Sequence, residues 1–122
     1  MALSKSITNN KGITTTYHRV YSVTNGEEVI VRIYSYIDKS YRDRELLQKV
    51  IDRYTNSAID ENGEYVDLTD EQKEELDYAF ENVIHNAQVE ERLEVVDADD
   101  LSFEGIYNSL KSLDVFSNAE DV

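Results

Sequence analysis

The chain has 122 residues, 40% of them hydrophobic, with 12 Lys and Arg against 26 Asp and Glu, a formal net charge of −14, and neither cysteine nor proline. That length and balance fit one domain spanning 1–122 with its own core, and the missing cysteines exclude disulfides and thiolate metal sites. The charge argues against direct nucleic-acid binding, which needs clustered Lys and Arg, and against an anionic membrane surface; no apolar run reaches the roughly 18–20 residues of a membrane span.

The opening MALSKSITNN holds no apolar core of the signal-peptide kind, so no leader is expected. Ile13 to Val23 is dense in Thr, Tyr and Val, residue types that suit a pleated surface. Glu27 to Ile37 is a segment of the same kind. Val29, Val31, Ile33 and Ile37 fall on one face of it and Ile30, Arg32, Tyr34 and Tyr36 on the other. Thr24-Asn25-Gly26 lies between the two segments, and Asn-Gly predicts a two-residue hairpin turn. Neither face of the second strand is plainly polar. Two readings stand: a strand covered on both sides within its own domain, or a tyrosine-rich face covered by another protein. Tyr17, Tyr21, Tyr34 and Tyr36, with Arg32 beside them, are the candidate interface residues, because tyrosine joins a large apolar body to a polar tip.

Leu47, Val50, Ile51 and Tyr54 recur at helical spacing and predict a helix over 41–54 with Ser40 as N-cap. Asn62-Gly63 suggests a short second hairpin, Ala58-Ile59 against Tyr65-Val66. Thr69 and Gln72 form a capping box that opens a helix over 70–86, whose buried stripe is expected to be Leu76, Phe80, Val83, Ile84 and Ala87. Residues 92–97 read as a third strand. Asp100 or Ser102 then caps a last helix over 103–113 marked by Phe103, Ile106, Tyr107, Leu110 and Leu113, which Gly105 weakens. The tail SNAEDV is expected to be solvated. The fold class expected is α+β, a small antiparallel sheet of the 13–37 hairpin and a third strand, packed by the helices of an acidic part over 41–113. Such a sheet has an edge, which Arg19 and Arg32 would blunt or a partner strand would extend.

Charge is unevenly laid down. Residues 1–59 carry nine Lys and Arg against six Asp and Glu, a net of +3, and residues 60–122 carry three against twenty, a net of −17. The chemistry is sparse. His18 and His85 have no Ser, Cys or second His at a useful local spacing, and each is expected to be a surface or half-buried imidazole. Counted from Asp60, the EF-hand glycine position holds Tyr65, so Asp60, Asn62, Gly63, Asp67 and Asp70 fail as a calcium loop. Asp97, Asp99 and Asp100 read as a turn and helix cap rather than a cation site. No phosphate-binding, nucleophile-elbow or zinc-protease motif is present. No catalytic residue, cofactor or metal is expected.

The opening MALSKSI, Gly12-Ile13 with Tyr17-His18-Arg19-Val20, and Ser35-Tyr36 form a pattern with the ending Ile106-Tyr107-x-x-Leu110-Lys111-x-Leu113, Phe116-x-Asn118-Ala119-Glu120-Asp121-Val122. This pattern resembles a group of small proteins encoded by tailed bacteriophages of Gram-positive hosts, among tail or baseplate genes, most without an assigned activity. The resemblance covers roughly the first forty and last thirty residues, and the middle, about Tyr41 to Gln88, reads as an insertion. It implies a non-enzymatic structural or assembly role in the virion, in the tail, baseplate or neck, with other virion proteins or a second copy as partners and no nucleic acid or membrane. It carries over no catalytic residue. The −17 of the second half supports an alternative, a small acidic phage effector that mimics nucleic acid and inhibits a host DNA-binding protein.

Overall fold

The computed structural model describes residues 1–57, 62 and 68–122. The expected second hairpin, Ala58-Ile59 against Tyr65-Val66, lies outside them. Contacts divide the chain into two compact units: Met1–Lys39 with Gln88–Val122, and Ser40–Ala87.

The first unit is an α+β fold. Strands β1 (Leu3–Thr8), β2 (Thr14–Asn25), β3 (Val29–Tyr36), β4 (Glu90–Val96) and β5 (Glu120–Asp121) form one antiparallel sheet in the order β4-β3-β2-β1-β5. Helix α3 (Phe103–Lys111) and a 3₁₀ turn at Asp114–Phe116 cover one face. Alternation decides what they cover. Val31 and Ile33 of β3, Val20 of β2, Leu3 of β1 and Val96 of β4 are buried together with Ile106, Tyr107, Leu110 and Phe116.

The expected hairpin is present, but its turn differs. The pairs Val20–Ile33 and Val23–Val31 stay on the core face, with one extra residue, Tyr21, bulged between Val20 and Ser22. This register pairs Asn25 with Val29 and leaves the three residues Gly26, Glu27 and Glu28 as the turn. Asn25-Gly26 therefore does not form a two-residue turn, because packing of the long strands sets the register. β3 also ends at Tyr36, so Ile37 is not part of the core face; its carbonyl accepts from the Thr16 amide and hydroxyl.

Both ends of the chain enter the sheet. Asn9 turns β1 into β2, its side chain accepting from the Lys11 and Ile13 amides, with Gly12 at φ +82°, where a side chain would be strained. The tail expected to be solvated instead pairs as β5 with β1. Asn118, at φ 64°, turns the chain, and Ala2 and Val122 exchange backbone hydrogen bonds of 3.1 and 3.0 Å. β1 pairs with β2 only as far as Leu3–His18, and the Val20 amide beyond it donates to the Tyr107 hydroxyl, which donates to the Met1 carbonyl. α3 thus completes the sheet's hydrogen bonding as well as its core. Ser102 caps α3 through the Gly105 amide, as one of the two expected capping residues, while Phe103 is 72% exposed.

The second unit pairs α1 (Lys39–Ser57) with α2 (Asp70–Asn82) through Ile51, Tyr54, Leu76 and Ala79. α1 starts one residue before Ser40, which therefore lies inside its first turn. The Thr69–Gln72 capping box is formed in both directions, at 3.1 and 2.9 Å. α2 ends at Asn82, earlier than its apolar pattern suggests, because Val83 is extended; the Asn82 carbonyl accepts from Arg44 Nε, and the Ile84 amide donates to the Arg44 carbonyl. The buried stripe is Leu76 and Ala79 with Val83 packed against them, and Phe80, expected inside, is exposed.

Candidate functional site

The sheet face opposite α3 carries the tyrosines. Period two puts Tyr17 and Arg19 of β2 on this face, opposite Tyr36 and Tyr34 of β3. The bulge adds Tyr21, whose ring stacks on Tyr34 at 4.3 Å and 11°. Tyr17 meets Tyr36 edge-to-face at 5.9 Å and 70°. Both arrangements are favoured by the ring quadrupole. Arg19 lies at the centre: its guanidinium carbon is 5.7, 5.3 and 5.9 Å from the ring centroids of Tyr21, Tyr34 and Tyr36, and its Nε donates to the Tyr36 hydroxyl at 2.8 Å. These distances are within cation–π reach.

The five expected interface residues therefore share a face but not an exposure. Tyr36 is wholly buried; its hydroxyl accepts from Arg19 and its ring meets that of Tyr17 edge-to-face. Tyr17 and Tyr34 are half-buried, and Tyr21 is exposed. Arg32 pairs with Glu91 of β4 at 3.0 Å with both side chains near half-exposed, which makes the pair a weak one. Burial, and then the neighbouring Tyr21 and Glu91, raise the Tyr34 hydroxyl above its ordinary range. Arg19 and Arg32 do not blunt an edge. β2 and β3 are interior strands, and the edges are β4 and β5. The face also extends further than expected. The pairs Ile30–Val95 and Arg32–Leu93 bring two apolar side chains of β4 beside it, Leu93 59% and Val95 52% exposed. The alternation of Arg19 with Tyr17 and Tyr21 was the signal that would have found the cluster's centre.

His18 lies on the other face and is buried, not at the surface. Its Nε2 is 2.7 Å from the Lys5 carbonyl and so donates to it, which leaves Nδ1 to accept from the Ser35 hydroxyl at 2.7 Å. Its ring meets Phe116 edge-to-face at 5.3 Å. Burial lowers its pKa, although the Lys5 carbonyl pulls the other way. Glu90 pairs with Ser35 across β3 and β4 and continues this row. Glu90, Ser35 and His18 have the composition of a nucleophilic triad without its geometry: Ser35 is buried, and both imidazole nitrogens are engaged in joining β1, β2 and β3. His85 is exposed.

A groove of about 470 Å³ opens beside the bulge, lined chiefly by Val20, Val23, Leu101, Phe103 and Ile106, with no carboxylate, imidazole or amine on its walls. The Asp100 carboxylate accepts from the Ser102 amide, and this hydrogen bond holds it below the usual carboxylate range. Among the described residues no three His, Asp or Glu side chains gather in a group suited to a metal ion, and no helix is long and apolar enough to cross a membrane. In comparisons with known proteins, no family model, no curated protein and no solved structure matches the chain.

Proposed function

We propose that the chain is a non-enzymatic structural or assembly protein of a bacteriophage virion, a tail, baseplate or neck component, that works by gripping another virion protein with its tyrosine face. The observation that carries the protein-binding part is the Arg19-centred cluster. Stacked rings already ordered by a guanidinium lose little side-chain entropy on contact, and Tyr and Arg dominate the energetics of protein interfaces. Leu93, Val95 and Ile30 add apolar area next to the rings, and the Tyr34 hydroxyl suits a partner that offers backbone carbonyls or carboxylates. The virion placement rests on the resemblance of the two ends of the sequence to small tailed-phage proteins.

Mass spectrometry of purified virions is the test of placement, and the protein is expected there in reproducible copy number. Its absence from particles overturns the structural role. Capture of virion proteins by the purified chain tests the face. Tyr21→Ala and Tyr34→Ala are each expected to weaken capture by at least about tenfold, the range of an interfacial aromatic anchor. Repeating the capture from host lysate, with and without added DNA, separates this reading from nucleic-acid mimicry, in which DNA competes and salt weakens binding.

A further inference from the structure

We propose that two copies of this chain pair antiparallel along β4, edge to edge, in the register that centres Leu93 on the twofold axis. The inference stands on the sheet's edge and is independent of the tyrosine face's role.

The sheet has two edges. β5 is two residues long, and shortness protects it. β4 is seven residues long, contains no proline, and pairs with β3 in unbroken register from Val29–Val96 to Ser35–Glu90. Among the described residues no other strand pairs with it, and Leu93 and Val95 stand more than half exposed. Sheet edges are commonly guarded by inward-pointing charge. β4 does carry Glu90, Arg92 and Glu94 on its core-facing side, but the signs alternate, and alternation welcomes a second copy in one register.

In an antiparallel pair directly opposite side chains share a face, so two cores stay on the same side only where paired residue numbers sum to an even number. Centring the axis on Arg92 sets arginine against arginine. Centring it on Glu90, Glu91 or Glu94 sets glutamate against glutamate, and like charges directly opposite destabilise. Centring on Leu93 sets Leu93 against Leu93, Arg92 against Glu94 twice, Glu91 against Val95 and Glu90 against Val96. It uses all seven residues of the strand and opposes no like charges. The result is a ten-stranded sheet whose two tyrosine faces lie side by side.

Sedimentation velocity on the full chain at about 0.15 M salt, where the Debye length is near 8 Å and much of the repulsion between two copies of this acidic protein is screened, reads the association. Samples up to about 1 mM reveal even a weak dimer. The expected result is a concentration-dependent rise to twice the chain mass, with added amide-exchange protection confined to residues 90–96. Arg92→Glu and Glu94→Arg are each expected to weaken pairing at least about tenfold, and the double variant to return it to within about threefold, since it restores both cross-strand pairs. Leu93 is exposed, so Leu93→Lys leaves folding intact and sets two lysines face to face; it is also expected to lose at least about tenfold. A chain that stays monomeric throughout overturns the proposal. So does a dimer indifferent to Leu93→Lys, or one abolished by Tyr21→Ala instead.

Discussion

His18 sits where three strands meet, and its protonation state is written into its partners. The Lys5 carbonyl takes the Nε2 proton and Ser35 gives one to Nδ1, so the neutral ring has both nitrogens satisfied in the folded site. The charged groups around it are Lys5 on β1 and Glu90 and Arg92 on β4; burial lowers the pKa, the positive charges of Arg92 and Lys5 act in the same direction, and the Lys5 carbonyl and Glu90 oppose them without reversing the fall. Well above the ordinary value of 6.5 both folded and unfolded chains hold the ring neutral, and it contributes no pH dependence. Below 6.5 the unfolded chain takes up a proton that the folded chain refuses, so stability drops as pH drops, until the lowered folded pKa is passed. Unfolding free energies from urea titrations between pH 7.5 and 5.5 are expected to fall, by up to about 1.4 kcal/mol per pH unit inside the window. His18→Gln, whose amide still reaches a carbonyl, is expected to be less stable at pH 7.5 but to lose most of that slope. An unchanged slope in the variant sinks this account. The sequence showed His18 in a strand but not its depth, because its carbonyl partner lies on β1, a strand that the sequence reading did not expect.

Elements marked by their own residues were legible, and elements defined by distant pairing were not. The capping box at Thr69 and the alternation of Val29, Val31 and Ile33 are local patterns, and each reappears in the structure. β1 has only Leu3 and Ile7 as apolar residues, and β5 is two acidic residues; β1 becomes a strand because β2 and β5 supply its hydrogen bonds, and β5 becomes one because β1 does. The Asn25-Gly26 turn signal lost to the register of two long strands for the same reason. Gly105 is a case in which a local rule gives the wrong sign. Helix propensity alone says that Gly105→Ala gains about 1 kcal/mol. A Cβ there would lie 2.3 Å from the Asp100 carbonyl oxygen and 2.5–2.6 Å from its side chain, and the backbone oxygen cannot swing away as a side chain can. Gly105→Ala is therefore expected to cost about 1–3 kcal/mol in chemical denaturation, the range of overpacked sites. A stabilised variant contradicts this packing.

At the scale of the whole chain, the α+β class was readable from a β-rich half and a helix-rich half, while the candidate face was only partly so. Period two gave the tyrosines a common side, but their exposure depends on what packs where, which no periodicity states. The division into units has a sharper consequence. The buried cluster of the sheet draws every member from Met1–Lys39 and Gln88–Val122, and the cluster between α1 and α2 draws every member from Ser40–Ala87. The helical unit also closes on itself, since Arg44 and Glu45 near its start bond Asn82, Ile84 and Ala87 near its end. It enters the chain after β3 and leaves it before β4, and Ser35 is already paired with Glu90. Directly opposite residues in an antiparallel pair stand only about 5 Å apart, so a turn of about four residues is long enough to replace everything from 38 to 88. Residues 1–37 joined to 89–122 by such a turn are expected to keep the sheet, with dispersed amide resonances and cooperative unfolding. Collapse to a disordered chain means instead that the helical unit belongs to the sheet's own folding, and that two separate cores do not here make two separable folds.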